Sequence, residues 1–305
     1  MNPAYLNSVR LLLAVAPSVF RQPVFALKGG TAINMFLRDM PRLSVDLDLV
    51  FTDHHTGRDV ALQAISDALE GIRDDIQGLG FQCELGVASG GGDVKLFVQR
   101  DRTRIKLEVN HVFRGTVLPI HDKALVEPAR EAFLTDLRIP VLHPDELYGS
   151  KLVAAMDRQH PRDLFDVLGL YESDGLTPGT VECFVSYIAG HNRPVHEVLF
   201  ANQIDMRPAF ANEFEGMTRD TVPLDALLAT RSRLMDELPK ALTEDHRNFL
   251  FGLVRGQPDW SLMQCPHLEH LPAIRWKLEN LAKLKRTNPA KFNQQAHELE
   301  ERLQA

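Results

Sequence analysis

Residues 42 to 49 read RLSVDLDL, an uninterrupted alternation of polar and apolar side chains. Because successive side chains of a β-strand point to opposite faces of a sheet, this pattern predicts a strand with one buried face. Asp46 and Asp48 then share the polar face, with Cα atoms roughly 6.5 to 7 Å apart. Two carboxylates this close repel one another unless a cation lies between them or one is protonated.

The aspartate pair is therefore a candidate metal site. Paired carboxylate oxygens on rigid backbone suit Mg²⁺, a hard ion that completes its coordination with water and substrate phosphate. The alternative is an edge strand whose polar face is solvated.

A glycine pair, Gly29 and Gly30, precedes this strand. Residues 24 to 27 predict a short strand before the pair, and residues 29 to 40 have helical periodicity. A glycine turn at a helix N-terminus can present backbone N–H groups and partial positive charge to an anion. Glycine pairs also serve merely as tight connections, but a metal site beside the turn favours phosphate binding.

The remaining chain divides into a mixed part and a helical part. After a helix at 56–80, strands are predicted at 81–87, 93–100 and 103–113, the last two joined in a hairpin. Beyond residue 175, candidate helices lie at 178–190, 194–202, 223–241, 243–255, 267–285 and 289–303. We predict an α+β fold, with a mixed β-sheet flanked by helices in residues 1–175 and a mainly helical domain in residues 176–305.

Composition and charge limit which binding partners and which cellular compartment we expect for the protein. The formal net charge of -7 argues against a surface that binds nucleic acid everywhere, so such a partner requires a local basic patch. The three cysteines lack metal-ligand spacing, which predicts reduced thiols in a cytoplasmic protein. We expect no membrane partner, because the apolar N-terminal stretch fits an amphipathic helix packed on the domain better than a signal peptide.

Glu108 is the candidate third carboxylate. In RIKLEVN, residues 104 to 110, Lys106, Glu108 and Asn110 share one face of a predicted strand. Glu108 would join the two aspartates in a two-metal arrangement and accept the proton of the attacking hydroxyl. The alternative is a surface stripe of polar side chains.

Several motifs follow one another along residues 20 to 170. They are LKGGTAINMF, R-x-S-x-D-x-D-L, K-x-E-x-N, and a set formed by Lys151, Arg158, Arg162, Asp163 and Asp166. This ordered set resembles the AbiEii/AbiGii nucleotidyltransferase toxins, relatives of the MenT toxins in the polymerase-β-like nucleotidyltransferase superfamily. The resemblance implies a nucleotidyltransferase core in the N-terminal domain.

The resemblance also implies the roles of individual residues. The catalytic residues would be Asp46, Asp48, Glu108, Lys151 and Asp163, with the first three as the metal ligands. The nucleotide would be bound by Gly29, Gly30, Thr31, Ser44, Lys151, Arg158 and Arg162. Lys106 would belong with Glu108 to the second motif.

The charges of the later motif fit these roles. Lys151 and Arg158 lie seven residues apart on one helix face, and Pro161 turns the chain before Arg162 and Asp163. Cations that face the metal would counter the charge of the triphosphate and of leaving pyrophosphate. Asp163 would orient Lys151 or Arg162. The alternative is a set of surface ion pairs, each worth about 0 to 1 kcal/mol.

By resemblance, we expect a Mg²⁺-dependent toxin of a bacterial toxin–antitoxin or phage-defence system. It would transfer a nucleoside monophosphate (NMP) from an NTP to an acceptor such as the tRNA acceptor stem, and an antitoxin would be its partner. Two other hypotheses stay open. One is modification of a protein hydroxyl, which the acidic net charge favours, and the other is a non-catalytic binding module.

One basic concentration lies near the C-terminus, in RWKLENLAKLKRTNPAK, residues 275 to 291. Trp276 beside these cations could stack on an unpaired RNA base. Alternatively, Trp276, Leu278, Leu281 and Leu284 form the buried stripe of an amphipathic helix whose lysines face water.

Overall fold

The computed structural model describes residues 3–86 and 93–304. Val87, the last residue of one predicted strand, lies outside these ranges. The chain divides into two compact units, the first formed by Met1–Leu147 and Phe214–Thr221 and the second by Tyr148–Glu213 and Val222–Ala305.

The first unit is built on a mixed sheet, for which the described residues supply seven strands. These are β1 (Phe25–Lys28), β2 (Asp46–Phe51), β3 (Gln82–Gly86), β4 (Asp93–Arg100), β5 (Thr103–Asn110), β6 (His121–Ala124) and β7 (Arg138–Val141). Their order is β3-β4-β5-β2-β1-β7-β6. β2 pairs with β1 antiparallel and with β5 parallel. The predicted α+β fold class is confirmed.

Helices cover this sheet. They are α1 (Pro3–Phe20), α2 (Gly29–Ala32), which continues as a π-helix over Ile33–Leu37, α3 (Arg58–Gly78) and α4 (Glu127–Phe133). By length and composition α1 is apolar enough to cross a membrane. Much of it is buried in this unit, however, including Val9, Leu12 and Val19. A helix in the core of a soluble protein can be equally long and apolar. The burial of α1 agrees with the sequence-based prediction of an amphipathic helix packed on the domain.

The strand predicted over residues 42 to 49 begins later, at Asp46. Before it, the backbone N–H of Leu43 donates to the carbonyl of Met217 at 2.9 Å, and Arg42 forms an isolated bridge with Thr218. Residues 42 and 43 thus pair with a segment that is distant in sequence instead of continuing β2. β2 itself lies between β5 and β1, so the edge-strand interpretation is wrong.

The second unit is helical. Its helices are α5 (Pro144–Arg158), which begins in the first unit, α6 (Pro161–Tyr171), α7 (Pro178–Ala189), α8 (Val195–Leu199), α9 (Arg207–Glu213), α10 (Leu224–Ala241), α11 (Glu244–Val254), α12 (Pro272–Thr287) and α13 (Pro289–Gln304). Short 3₁₀ turns occupy Trp260–Leu262 and Leu268–His270. α9 was not predicted, because it has no buried residue and hence no apolar periodicity.

Packing assigns most of α5 and all of α6 to the helical unit. The sequence placed residues up to 175 in the nucleotidyltransferase domain instead. That functional division at residue 175 stays a prediction.

Candidate active site

The two aspartates lie on the central strand of the sheet. Asp48 is opposite Lys28 on β1 and Glu108 on β5, and Asp46 is opposite Lys106 on β5. Directly opposite residues of paired strands project from the same face, so one face of the sheet carries both aspartates, Glu108 and two lysines. Asp46 and Asp48 are partly exposed.

The Gly29–Gly30 turn lies directly beside Asp48. Gly29 has φ +73°, the left-handed region, and a Cβ there would overlap Asp48 Oδ2. A Cβ on Gly30 would lie 2.6 Å from Nη2 of Arg42 and 3.2 Å from Oγ of Ser44. Only glycine therefore allows this backbone to approach the carboxylate so closely.

Thr31 fixes the turn against β2. Its Oγ1 donates to the carbonyl oxygen of Asp46 at 2.5 Å and lies 2.9 Å from Oγ of Ser44. Both hydroxyl side chains are buried. They hold α2 in register with the aspartates, and direct contact of either with a nucleotide stays a prediction.

The Glu108 carboxylate is held by two lysines. Oε1 lies 3.2 Å from Nζ of Lys95, and Oε2 contacts Nζ of Lys106. Burial raises the pKa of Glu108, but the two ammonium groups outweigh it and leave the pKa below its ordinary value. Burial likewise lowers the pKa of Lys106, but the charges of Glu108, Asp46 and Asp48 leave it raised.

The donor set fits a metal held by two carboxylates. Within the described ranges, no three His, Cys, Asp or Glu side chains form a metal-binding group. Asp46 and Asp48 remain as a pair of hard oxygen donors beside the glycine turn. Mg²⁺ commonly takes only one or two carboxylates and fills its other positions with water and phosphate. The pair suits that ion.

The later motif forms a buried ion cluster within the second unit. Nζ of Lys151 lies 2.8 Å from Oδ1 of Asp163 and 3.1 Å from Oδ2 of Asp166. Arg158 binds Asp163 through Nε at 2.6 Å and Nη2 at 2.9 Å. Burial raises the pKa of Asp163, but Lys151 and Arg158 more than offset it, so the pKa lies well below its ordinary value.

Asp163 therefore orients Lys151, one of the two arrangements that the sequence left open. Arg162 points elsewhere: its Nη2 lies 3.8 Å from Glu213, and its backbone N–H donates to Nδ1 of His160 at 3.1 Å. Because Lys151 and Asp163 are buried, the interpretation as ordinary surface ion pairs is wrong for them.

The fold and the match to a family model identify the chain as a nucleotidyltransferase. Its fold is similar to that of MenT4, a nucleotidyltransferase toxin from Mycobacterium tuberculosis H37Rv, with a TM-score of 0.58 and 20% sequence identity over 89% of this chain and 92% of that one. Residues 10–280 match the family described as nucleotidyl transferase AbiEii toxin, type IV toxin–antitoxin system. The chain belongs to this family.

No curated protein matches the sequence significantly. The predicted family and the predicted nucleotidyltransferase activity are confirmed. Membership in a toxin–antitoxin family implies a nucleotide substrate and an antitoxin partner.

Proposed function

We propose that the protein is a Mg²⁺-dependent toxin that transfers NMP from an NTP to the acceptor stem of tRNA in the bacterial cytoplasm, and that it acts in phage defence. The observation that carries this proposal is the position of Asp46 and Asp48 on β2, directly beside the Gly29 turn. A carboxylate pair for a metal and a backbone turn for phosphate are the two parts that phosphoryl chemistry requires.

Asp46 and Asp48 would hold the metal. Glu108 is the proposed third ligand, and to bind the ion its carboxylate would give up its contact with Lys95 or Lys106. Bound Mg²⁺ would neutralise charge on the phosphates during in-line displacement. The turn at Gly29 and Gly30 would bind phosphate through backbone N–H groups. Because its pKa is depressed, Glu108 suits a role as ligand or lysine anchor better than a role as proton acceptor.

The cations of the later motif would serve the triphosphate. We propose that Lys151, oriented by Asp163 and Asp166, contacts nucleotide phosphate, as the family motif implies. Arg158 and Arg162 would add positive charge around the substrate. The developing charge on pyrophosphate is what such groups stabilise.

A transfer assay tests the proposal. Purified protein receives each α-labelled NTP in turn with total tRNA or cell extract, in Mg²⁺ or in excess EDTA. We expect label on tRNA in Mg²⁺ and loss of that label in EDTA, because Mg²⁺ is needed to neutralise the phosphates. Label on a protein would instead support the second candidate function, which the net charge of -7 favours. Folded protein that labels nothing would leave a binding module.

Gly29→Ala is expected to lower transfer by at least about 100-fold, because displacing reacting groups by roughly 1 Å has that effect. The new Cβ would overlap Asp48 Oδ2 at a backbone with φ +73°. Gly80→Ala is the matched control, since Gly80 has φ +84° with nothing near its Cβ position. Equal activity of the two variants in the labelled-NTP assay would contradict the predicted clash.

A further inference from the structure

We infer that the exposed face of α12 binds single-stranded RNA, with Trp276 as a stacking platform for an unpaired base. This inference deepens the proposed function, because it rests on RNA as the acceptor. The structure puts the Trp276 side chain in solvent, with 51% of its surface exposed. The buried residues of α12 are Ala273, Ile274, Lys277 and Leu281, so Trp276 lies outside the packed stripe.

Cations share the face of Trp276. At 100° per residue, Lys283 projects close to the direction of Trp276, and Arg275 and Arg286 lie beside them on the solvent side. All three cations are exposed. Glu279, which projects to the same side, is the one acidic residue in α12, against four exposed basic residues, since Lys277 is buried. In a chain with a net charge of -7, this helix concentrates positive charge.

The cations of α12 differ from those of α10. On α10, Arg233 pairs with Glu237 and Lys240 with Asp236, each at i,i+4 spacing. The described residues place no acidic group within ion-pair distance of Arg275, Lys283 or Arg286. Their charges are therefore directed to solvent, where they can bind the phosphates of a nucleic-acid backbone.

A lone basic helix would attract any polyanion, and Trp276 makes RNA the favoured partner. An exposed aromatic ring offers a flat face to an unstacked base, and Arg275 and Lys283, which precede and follow Trp276 along the helix, can bind the adjoining phosphates. Single-stranded ends and loops present an unstacked base together with its adjoining phosphates, whereas a blunt duplex keeps its bases stacked. The face should thus prefer RNA with an unpaired end.

Tryptophan fluorescence tests the inference without NTP, so its outcome is independent of transfer activity. The chain has two tryptophans, and Trp260 packs against Phe249 with ring centroids 5.8 Å apart. We expect a short hairpin RNA with a single-stranded 3′ end to quench the emission of Trp276. A Trp276→Leu variant should lose the quench and bind the RNA about 5- to 100-fold more weakly, measured by anisotropy of labelled RNA.

Charge is tested separately by a double variant, Lys283→Gln with Arg286→Gln. The matched control is Arg207→Gln with Lys240→Gln, which removes equal charge from exposed sites elsewhere in the second unit. We expect the first pair alone to reduce the slope of log affinity against log salt by about 1.4.

Several results would overturn the inference. They are absence of RNA binding by the parent protein at low salt, unchanged affinity of Trp276→Leu, and equal effects of the two double variants. Quenching by an acidic peptide but not by RNA would also overturn it, and would assign the face to a protein partner. RNA binding without transfer to RNA would uphold the face and refute the proposed acceptor.

Discussion

Asp48→Asn is expected to lower NMP transfer by at least about 100-fold, since loss of roughly 2.7 kcal/mol of transition-state stabilisation has that effect. Asparagine keeps the shape of the side chain but removes the charge that would hold the metal beside the turn at Gly29. The same change at Asp46 should act similarly, because both carboxylates share one face of β2.

Asp122→Asn is the control for this prediction. Asp122 is an exposed aspartate on β6 of the same sheet, so its replacement tests a generic loss of one negative charge. It should keep full activity. Mg²⁺ with NTP should raise the melting temperature of the control but not of Asp48→Asn. Transfer by Asp48→Asn within a few-fold of the parent would remove Asp48 from the mechanism.

Asp163→Ala is expected to destabilise the second unit by about 3 to 5 kcal/mol, the cost of removing one partner from a buried ion pair. Lys151 and Arg158 would lose the carboxylate that both contact, and Lys151 is itself buried. Trp260 and Trp276 both belong to the second unit, so urea unfolding followed by tryptophan fluorescence reports on this region.

Asp174→Ala is the matched control, because Asp174 is exposed just after α6. Surface substitutions of this kind change the free energy of unfolding by about 0.5 kcal/mol or less. An equal urea midpoint for the two variants would show that the Asp163 cluster contributes nothing to stability.

The stability that Asp163 contributes should depend on pH. Its folded-state pKa lies below the ordinary 3.8, so its contribution is present above pH 3.8 and is lost as the pH falls through the folded value. We expect the urea midpoint of the parent to fall as the pH drops below about 4. Asp163→Ala should show a weaker dependence. Parallel curves for parent and variant would contradict the assignment.

The sequence predicted the central elements of the site because alternation and hairpin spacing are local signals. It even contained the pairing of Lys95 with Glu108. A hairpin that turns at Asp101 and Arg102 pairs Arg100 with Thr103. Five residues further from the turn on each strand, the same register pairs Lys95 with Glu108. The hairpin register therefore predicts that Lys95 lies opposite Glu108.

Other features depend on contacts that no local pattern encodes. The late start of β2 depends on backbone pairing with Met217, far away in sequence. On α12, apolar periodicity predicted burial of Trp276, but Lys277 is buried instead. Its Nζ donates to the carbonyls of His191 and Arg193, and burial lowers its pKa to about 8. Those carbonyls belong to a loop that the pattern of α12 cannot reveal.

The pairing of Leu43 with Met217 also sets an order of events during synthesis. The segment Phe214–Thr221 belongs to the first unit but leaves the ribosome long after the strands of the sheet. At about 5 to 20 residues per second, the chain between β2 and this segment takes roughly 10 to 30 s to make. During that interval the residues just before Asp46 lack their backbone partner. A nascent toxin is thus expected to complete its aspartate site only after the first helices of the second unit have been translated.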